Sequence, residues 1–584
     1  SDGQVTTTFR NIPQVGLFRE LKLHLFGGER ASLSTPDFCG AYPVDTTFTP
    51  WSGEPAAQPP AAFAVTSGPG GGACPSAPLP FSLGHTIGPE SPRAGAYSNF
   101  DVDLDRPDGQ QSLDGLSVKL PPGYAAVLKD VTPCPEPPAG REWTCGGESE
   151  IGAVKVASGL GAHEPVELTG QAYLTSGYDG APFGLLVRTL ANTGPFELGY
   201  VDVRSRINVD PHTASVTVTS DPGPRGEGVP TRLKGVPVQI KRIEVAVNRP
   251  NFEFNPTNCS TMNFEVSLDG AELDGPGTAV DSFASPFAVT ECPSLSFAPK
   301  LTAYASGKAS KANGVSLTVK VEGQGLGAAN IAKTVLVLPA TLPARLTTIQ
   351  KACVDATFEH NPASCPEGSV IGKGIARSPV LRQRLEGPAY LVSHGGAAWP
   401  DVEFVLKGED GIELVLDGQT AIKKGVTTST FDSVPDDPIE SFEAILPEGP
   451  HSALTTNVPA KDKYSLCTTK AVLPTTLTGQ NGKVIEQQTK LQVLGCGEVE
   501  GYQANLLKQF KKAMAKCHSK YKHAKAKRAK CERTARAHYS ALALAQCRKT
   551  EKHSKKKLAA CEASMRVRYG VKKPAHKAKK AKKR

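Results

Sequence analysis

Methionine is almost missing from this chain, with 3 in 584 residues, and tryptophan is equally scarce. No run of about 18 or more apolar residues occurs, which excludes a membrane-spanning helix. No pair of cysteines has C-x2-C spacing, which removes the common zinc motifs. Neither H-E-x-x-H nor G-x-S-x-G is present. Helical periodicity is absent before residue 500. Acidic residues nearly vanish from 501–584, where 28 Lys+Arg face Glu532, Glu551 and Glu562, a local charge of +25. The remainder carries −16, so an acidic body is joined to a strongly basic tail.

What is present is a β-rich, turn-rich chain. Gly (57) and Pro (48) are abundant but below the level that signals disorder. Apolar residues alternate with polar ones at Leu21, Leu23 and Leu25, at Phe100, Val102 and Leu104, and at Ile243, Val245 and Val247. That period of two predicts half-buried strands. Pro107-Asp108-Gly109 and Val434-Pro435-Asp436-Asp437-Pro438 supply turns.

One unit of about 220 residues recurs. Cys39 and Cys259 are 220 apart, Cys74 and Cys292 218, Cys134 and Cys353 219, and Cys145 and Cys365 220. Ser149-x-Ile151-Gly152 matches Ser369-x-Ile371-Gly372. Leu168-x-Gly170-x-Ala172-Tyr173-Leu174 matches Leu385-x-Gly387-x-Ala389-Tyr390-Leu391. The run from Leu116 matches that from Thr334, and TTTFRNIP ending at Pro13 matches TSTFDSVP ending at Pro435. The chain is therefore expected to open partway through a unit, with its true N-terminus and any export signal lying upstream. The organisation expected is a truncated module at 1–52, a Pro/Gly/Ala-rich linker at 53–73, a repeat at 74–291 and a shortened repeat at 292–500. A duplicated basic helical region at 501–570 and a disordered arm at 571–584 complete it. The fold class expected is mostly β: tandem antiparallel β-sandwich (Ig-like) modules, stapled by disulfides, then a basic α-helical hairpin-type tail.

Cysteines at matching phases favour pairing as Cys39/Cys74, Cys134/Cys145, Cys259/Cys292, Cys353/Cys365 and Cys467/Cys496, over metal binding or free thiols. Each short loop closed would stabilise by roughly 3 kcal/mol. In the tail, Leu506, Phe510, Met514, Cys517 and Tyr521 form an apolar helical stripe. Cys517 to Cys531 and Cys547 to Cys561 both span 14 residues. On one straight helix such cysteines stand about 21 Å apart and cannot bond. The favoured scheme pairs within each unit, in small hairpins turning near Lys522 and Lys552. The alternative is one long hairpin, coiled-coil fashion, with Cys517–Cys561 and Cys531–Cys547. Lys572, Lys573, Lys577, Lys579, Lys580, Lys582, Lys583 and Arg584 are the candidate polyanion-binding residues. A solubilising role is the plainer reading of that charge run.

Catalytic and cofactor readings are weak. Ser393-His394 could be a nucleophile and base, but neighbours on a strand face opposite ways. Gly177 takes the His394 position in the other copy. Asp101, Asp103, Asp105 and Asp108 resemble a calcium loop, yet Val102 and Leu104 between them fit the wet face of a strand. GQGLG at 323–327 has no helix after it. Asn258-Cys259-Ser260 is formally a sequon and reads as a surface turn. No catalytic residue, cofactor or metal is assigned.

The LPPG run at 120–123, the paired cysteines and the two repeated motifs above resemble large uncharacterised repeat proteins exported by actinobacteria, whose ends often carry a similar Cys- and Lys-rich tail. The likeness covers nearly the whole chain. It implies an exported modular β protein and supplies no substrate or site. The function expected is a non-enzymatic protein of the cell surface or envelope, used in adhesion or envelope structure. Its tail would be held by an anionic cell-wall polymer or membrane. The alternatives are a secreted carbohydrate-binding protein or hydrolase with a site between modules, and nucleic-acid binding through the tail.

Overall fold

The structure is a computed structural model. It describes all residues except 1–3, 15–18, 29–30, 160–164, 195, 223–227, 273–278, 308, 310–312, 459–465, 468, 496–497, 551–554 and 571–584. It has two compact units. One holds 1–303, 311–457 and 470–491, and the other 304–310, 458–469 and 492–584. The fold class matches the sequence reading: antiparallel sheets dominate, disulfides staple them, and helices close the chain.

A hairpin of β1 (Gly40–Val44) and β2 (Ala61–Val65) comes first, with the Cys39–Cys74 disulfide beside it. Residues 53–73 are therefore not a bare linker. Their Pro/Gly/Ala composition hides a strand, because Ala61–Val65 is ordered by its partner and not by its own pattern. Leu21, Leu23 and Leu25 are a second correction. They lie in no strand and are 78%, 69% and 49% exposed. Alternation alone does not hold a strand; a neighbour must satisfy its backbone, and this segment has none among the described residues.

Besides four two-residue strands in small separate sheets, the first repeat has eleven strands among the described residues: β3 (Gly84–Pro89), β4 (Phe100–Asp105), β5 (Ser112–Lys119), β6 (Glu150–Ser158), β7 (Val166–Tyr178), β8 (Ala181–Thr193), β9 (Phe196–Val209), β10 (Val216–Ser220), β11 (Ile240–Val247), β12 (Met262–Ala271) and β13 (Val280–Phe287). They make one sheet in the order β13-β12-β5-β10-β9-β8-β7-β6-β11-β4-β3. The sheet curls until its two edges approach, and the ring of His85 on β3 stacks on Phe283 of β13 at 3.5 Å.

The second repeat repeats this order strand for strand. Its elements are β14 (Lys300–Ser306), β15 (Leu317–Glu322), β16 (Ile331–Val337), β17 (Val370–Arg377), β18 (Leu385–Ser393), β19 (Asp401–Lys407), β20 (Glu413–Lys423), β21 (Val426–Phe431), β22 (Ser441–Leu446), β23 (Val472–Gly479) and β24 (Val484–Leu494). Here β14 also bonds β24 and β18 bonds β19, so the ring is closed. Long pairings such as Gly170–Tyr178 with Ala181–Thr189 suit antiparallel strands joined by tight turns, and Gly180 takes the positive φ such a turn requires.

The two rings share a core. Phe264, Leu268 and Leu104 of the first pack in one cluster with Leu301, Val321 and Leu477 of the second. At the joint, Asp436 is 4% exposed and accepts from Thr257 N at 2.7 Å, Asn258 N at 3.0 Å and Asn330 Nδ2 at 2.9 Å. Burial raises its pKa while these donors oppose the rise.

The other unit contains α1 (Glu498–Lys520), α2 (Lys525–Thr550) and α3 (Lys555–Tyr569). Leu506, Phe510, Ala543, Leu544, Cys547, Met565 and Tyr569 form their core. Cys517–Cys531 ties α1 to α2, and Cys547–Cys561 ties α2 to α3. The chain turns at 521–524; the turn expected near Lys552 lies outside the described residues. Both bonds fall within a duplicated piece, as the favoured scheme expects and the long-hairpin alternative does not; α2 carries one cysteine of each pair, so the two pieces share a central helix.

Candidate functional site

The interior of the first ring holds a cavity of about 360 Å3. Strands alternate inward and outward, so side chains from β4 to β11 supply most of its wall, and Val380, Leu381, Ile412 and Leu414 of the second repeat complete it. The wall is almost wholly apolar, mostly aliphatic with Phe100, Phe183 and Phe252 among the lining side chains. Two acids interrupt it, Glu253 and Asp437. Tyr124 Oη donates to Glu253 Oε2 at 3.3 Å. Burial pushes the Glu253 carboxyl up to about 8, against a weaker lowering by that hydrogen bond. Burial, then the adjacent Asp436, pushes Asp437 to about 7. The wall is thus close to uncharged in mildly acidic solution. Ser220 also borders the cavity; it is 4% exposed and its Oγ has no hydrogen-bond partner.

A second group of titratable side chains sits at the edge of the second ring. His394 Nδ1 is 2.8 Å from Asp355 Oδ1, and Nε2 is 2.8 Å from Glu403 Oε1 and 3.8 Å from Asp401 Oδ2. Partial burial disfavours the imidazolium, but the Glu403 hydrogen bond and the carboxylates outweigh it and raise the His394 pKa. Burial pushes Glu403 to about 7. Ser393 takes no part in this group: His394 is aimed at carboxylates, so no nucleophile–base pair forms. Glu403 is 2% exposed, which keeps it from meeting a substrate directly. The first copy replaces His394, Glu403 and Asp401 with Gly177, Leu186 and Gly184, as the paired registers show.

Asp101 and Asp103 alternate with the buried Val102 and Leu104 on β4, and Asp108 pairs with Lys241 at 3.1 Å. Among the described residues no group of His, Cys, Asp and Glu could hold a metal ion. GQGLG at 323–327 links β15 to β16 without a helix. Asn258 donates to Gln480 and accepts from Ser260 N. Cys259–Cys292, Cys134–Cys145 and Cys353–Cys365 are bonded. Cys467 is disulfide-bonded too, and its expected partner Cys496 lies outside the described residues. So do Lys572, Lys573, Lys577, Lys579, Lys580, Lys582, Lys583 and Arg584.

The cavity has a signal in the sequence that only the alignment of the two copies exposes. Where the second copy has phenylalanine, the first has valine, serine and isoleucine.

No family model matches the chain. No curated protein matches it either. Among solved structures it is similar to a biofilm-associated protein B domain, at 9% identity and TM-score 0.14, over 70% of this chain and 87% of that one. It is also similar to the collagen adhesin of S. aureus, at 8% identity and TM-score 0.15, over 70% and 92%. At such scores neither likeness carries an argument about function.

Proposed function

We propose that this is an exported protein of the cell surface, in which the paired rings form an outward body and the helical tail holds the chain to an anionic polymer or membrane. The observation that carries it is the charge distribution of the tail. Lys508, Lys511, Lys512, Lys516 and Lys520 along α1, and Lys525, Lys527 and Lys530 on α2, are exposed. Glu532 and Glu562 are already engaged, by His518 at 2.9 Å and by Arg548 at 2.9 Å. The basic surface therefore has little internal compensation and is available to a polyanion, each cation adding about 1 kcal/mol near an anionic surface. Disulfides throughout body and tail fit an oxidising, extracytoplasmic compartment.

The experiment compares the whole chain with one ending at residue 500, for retention on anionic vesicles and on anionic cell-wall polymer, at low salt and at about 0.5 M, where charge contacts are screened. Retention of the whole chain alone, lost at high salt, is expected. Equal retention of both would remove the tail's role. Preferential retention on DNA would instead favour the nucleic-acid reading.

A further inference from the structure

The two rings have one strand order but different interiors, and the registers place the differing residues at equivalent positions. Ala172 pairs with Val187, and its counterpart Ala389 pairs with Phe404. Leu116 pairs with Ser220, and its counterpart Thr334 pairs with Phe431. Val156, four residues past Gly152, pairs with Ile243; Ala376, four past Gly372, pairs with Phe442. In the second ring Phe404 meets both of the others, 6.0 Å from Phe431 and 5.3 Å from Phe442, ring centre to ring centre. In the first ring Val187, Ser220 and Ile243 all border the cavity.

The surrounding glycines confirm that the second ring is cut to fit its aromatic filling. A side chain at Gly418 would collide with the Phe431 ring, and a Cβ at Gly374 would come within 2.8 Å of Phe404. Their counterparts in the first ring are Ser205, which pairs with Leu185 as Gly418 pairs with Val402, and Val154. Both border the cavity. Folded interiors pack nearly without voids. A hollow of this size is within the range of small-molecule sites, roughly 300–1,000 Å3. Water gains little there, since a wall so poor in polar groups offers few hydrogen bonds.

We propose that the hollow of the first ring binds one uncharged apolar chain, a fatty-acid or isoprenoid tail, which occupies the volume that Phe404, Phe431 and Phe442 fill in the second ring. A polar end of such a ligand meets Glu253 or Asp437. Tyr124 donates to Glu253, and the adjacent Gly123 abuts Asp436, the neighbour of Asp437. The protonated state that burial favours in both lets them donate to a hydroxyl or carboxyl without repelling it. The proposal does not depend on attachment through the tail.

The test titrates the full chain with cis-parinaric acid, a fluorescent straight-chain fatty acid. One saturable site is expected, with displacement by palmitic acid or by farnesol showing which kind of chain is preferred. Absence of saturable binding overturns the proposal. Ser220→Phe combined with Ser205→Gly transplants one of the three phenylalanines together with the glycine that makes room for it, and should weaken binding at least tenfold while elution and melting stay those of the parent. Binding kept within twofold by that folded variant also overturns it. Should the pair of substitutions prevent folding, the unaltered chain is labelled with a diazirine-bearing fatty acid and digested. Label on β6–β11 supports the site, and label confined to exposed segments such as 21–26 overturns it.

Discussion

The first ring encloses an apolar hollow, and the second, with the same strand order, is filled at the equivalent positions with phenylalanine. The difference shows which level of the molecule each property belongs to. Strand order is held by backbone hydrogen bonds, by the alternation of apolar residues and by turns, and all of these survive duplication. The interior volume belongs to a few side chains facing inward, and exchanging three of them empties or fills a ring without touching its connections. The edge of each ring has diverged in the same way. His394 and Glu403 stand where the first copy has Gly177 and Leu186, and Arg204 paired with Glu136 at 3.1 Å has no cationic counterpart, since Asp417 stands in its place.

The sharpest way to break this comparison is to hollow out the second ring. Phe404→Ala removes a side chain that is 2% exposed and should cost about 3–5 kcal/mol in denaturant unfolding, whereas Val187→Ala in the first ring, already beside empty space, should cost less than half as much. Equal losses would show that the first ring is as tightly filled as the second. Next in size are the short staples. Replacing Cys134 and Cys145 by Ser, or Cys353 and Cys365 by Ser, opens loops of nearly equal span, with separations of 11 and 12 residues. Each loss should be about 3 kcal/mol and the two should agree within about 1 kcal/mol, because the staples lie outside the feature that differs.

A smaller effect is a pH dependence. The folded-state pKa of Glu253 is raised to about 8 from an ordinary 4.5. The stability it lends is therefore complete below 4.5 and is lost as the pH rises through 8. Asp437 and Glu403, each raised to about 7, act in the same sense, with their loss complete at lower pH. The melting temperature should fall between mildly acidic and mildly alkaline solution, and Glu253→Gln should flatten the upper part of that fall. A profile unchanged by Glu253→Gln would place that carboxyl in water. The smallest change is expected when His394→Gly and Glu403→Leu are made together, copying the first ring. Glu403→Leu exchanges a buried carboxyl for an apolar residue of similar volume and His394 is partly exposed, so stability at neutral pH should move by less than about 1 kcal/mol.

Much of this architecture was legible along the chain. The alternation at Phe100, Val102 and Leu104 is a strand with those residues buried. The stripe of Leu506, Phe510 and Cys517 is the buried face of α1. Other features were illegible because they depend on partners distant in sequence. Ala61–Val65 has the composition of a linker and becomes a strand only against Gly40–Val44. Leu21 to Leu25 has the pattern of a strand and is not one. The carboxylates around His394 come from Asp355, Asp401 and Glu403, on a short helix and a neighbouring strand, and no spacing rule joins them.

Taken alone, the order of residues determined the period-two strands, the doubling of the unit, the cysteines in matching phase and the separation of acidic body from basic tail. Those are properties of neighbours along the chain, set by local sterics, alternation and charge. Tertiary structure decided the curling of the first set of strands and the closure of the second, the joint around Asp436 and the hollow beside Val187, Ser220 and Ile243. Closure and cavity volume are sums over side chains from many strands, and a residue's share in them exists only after those strands have met.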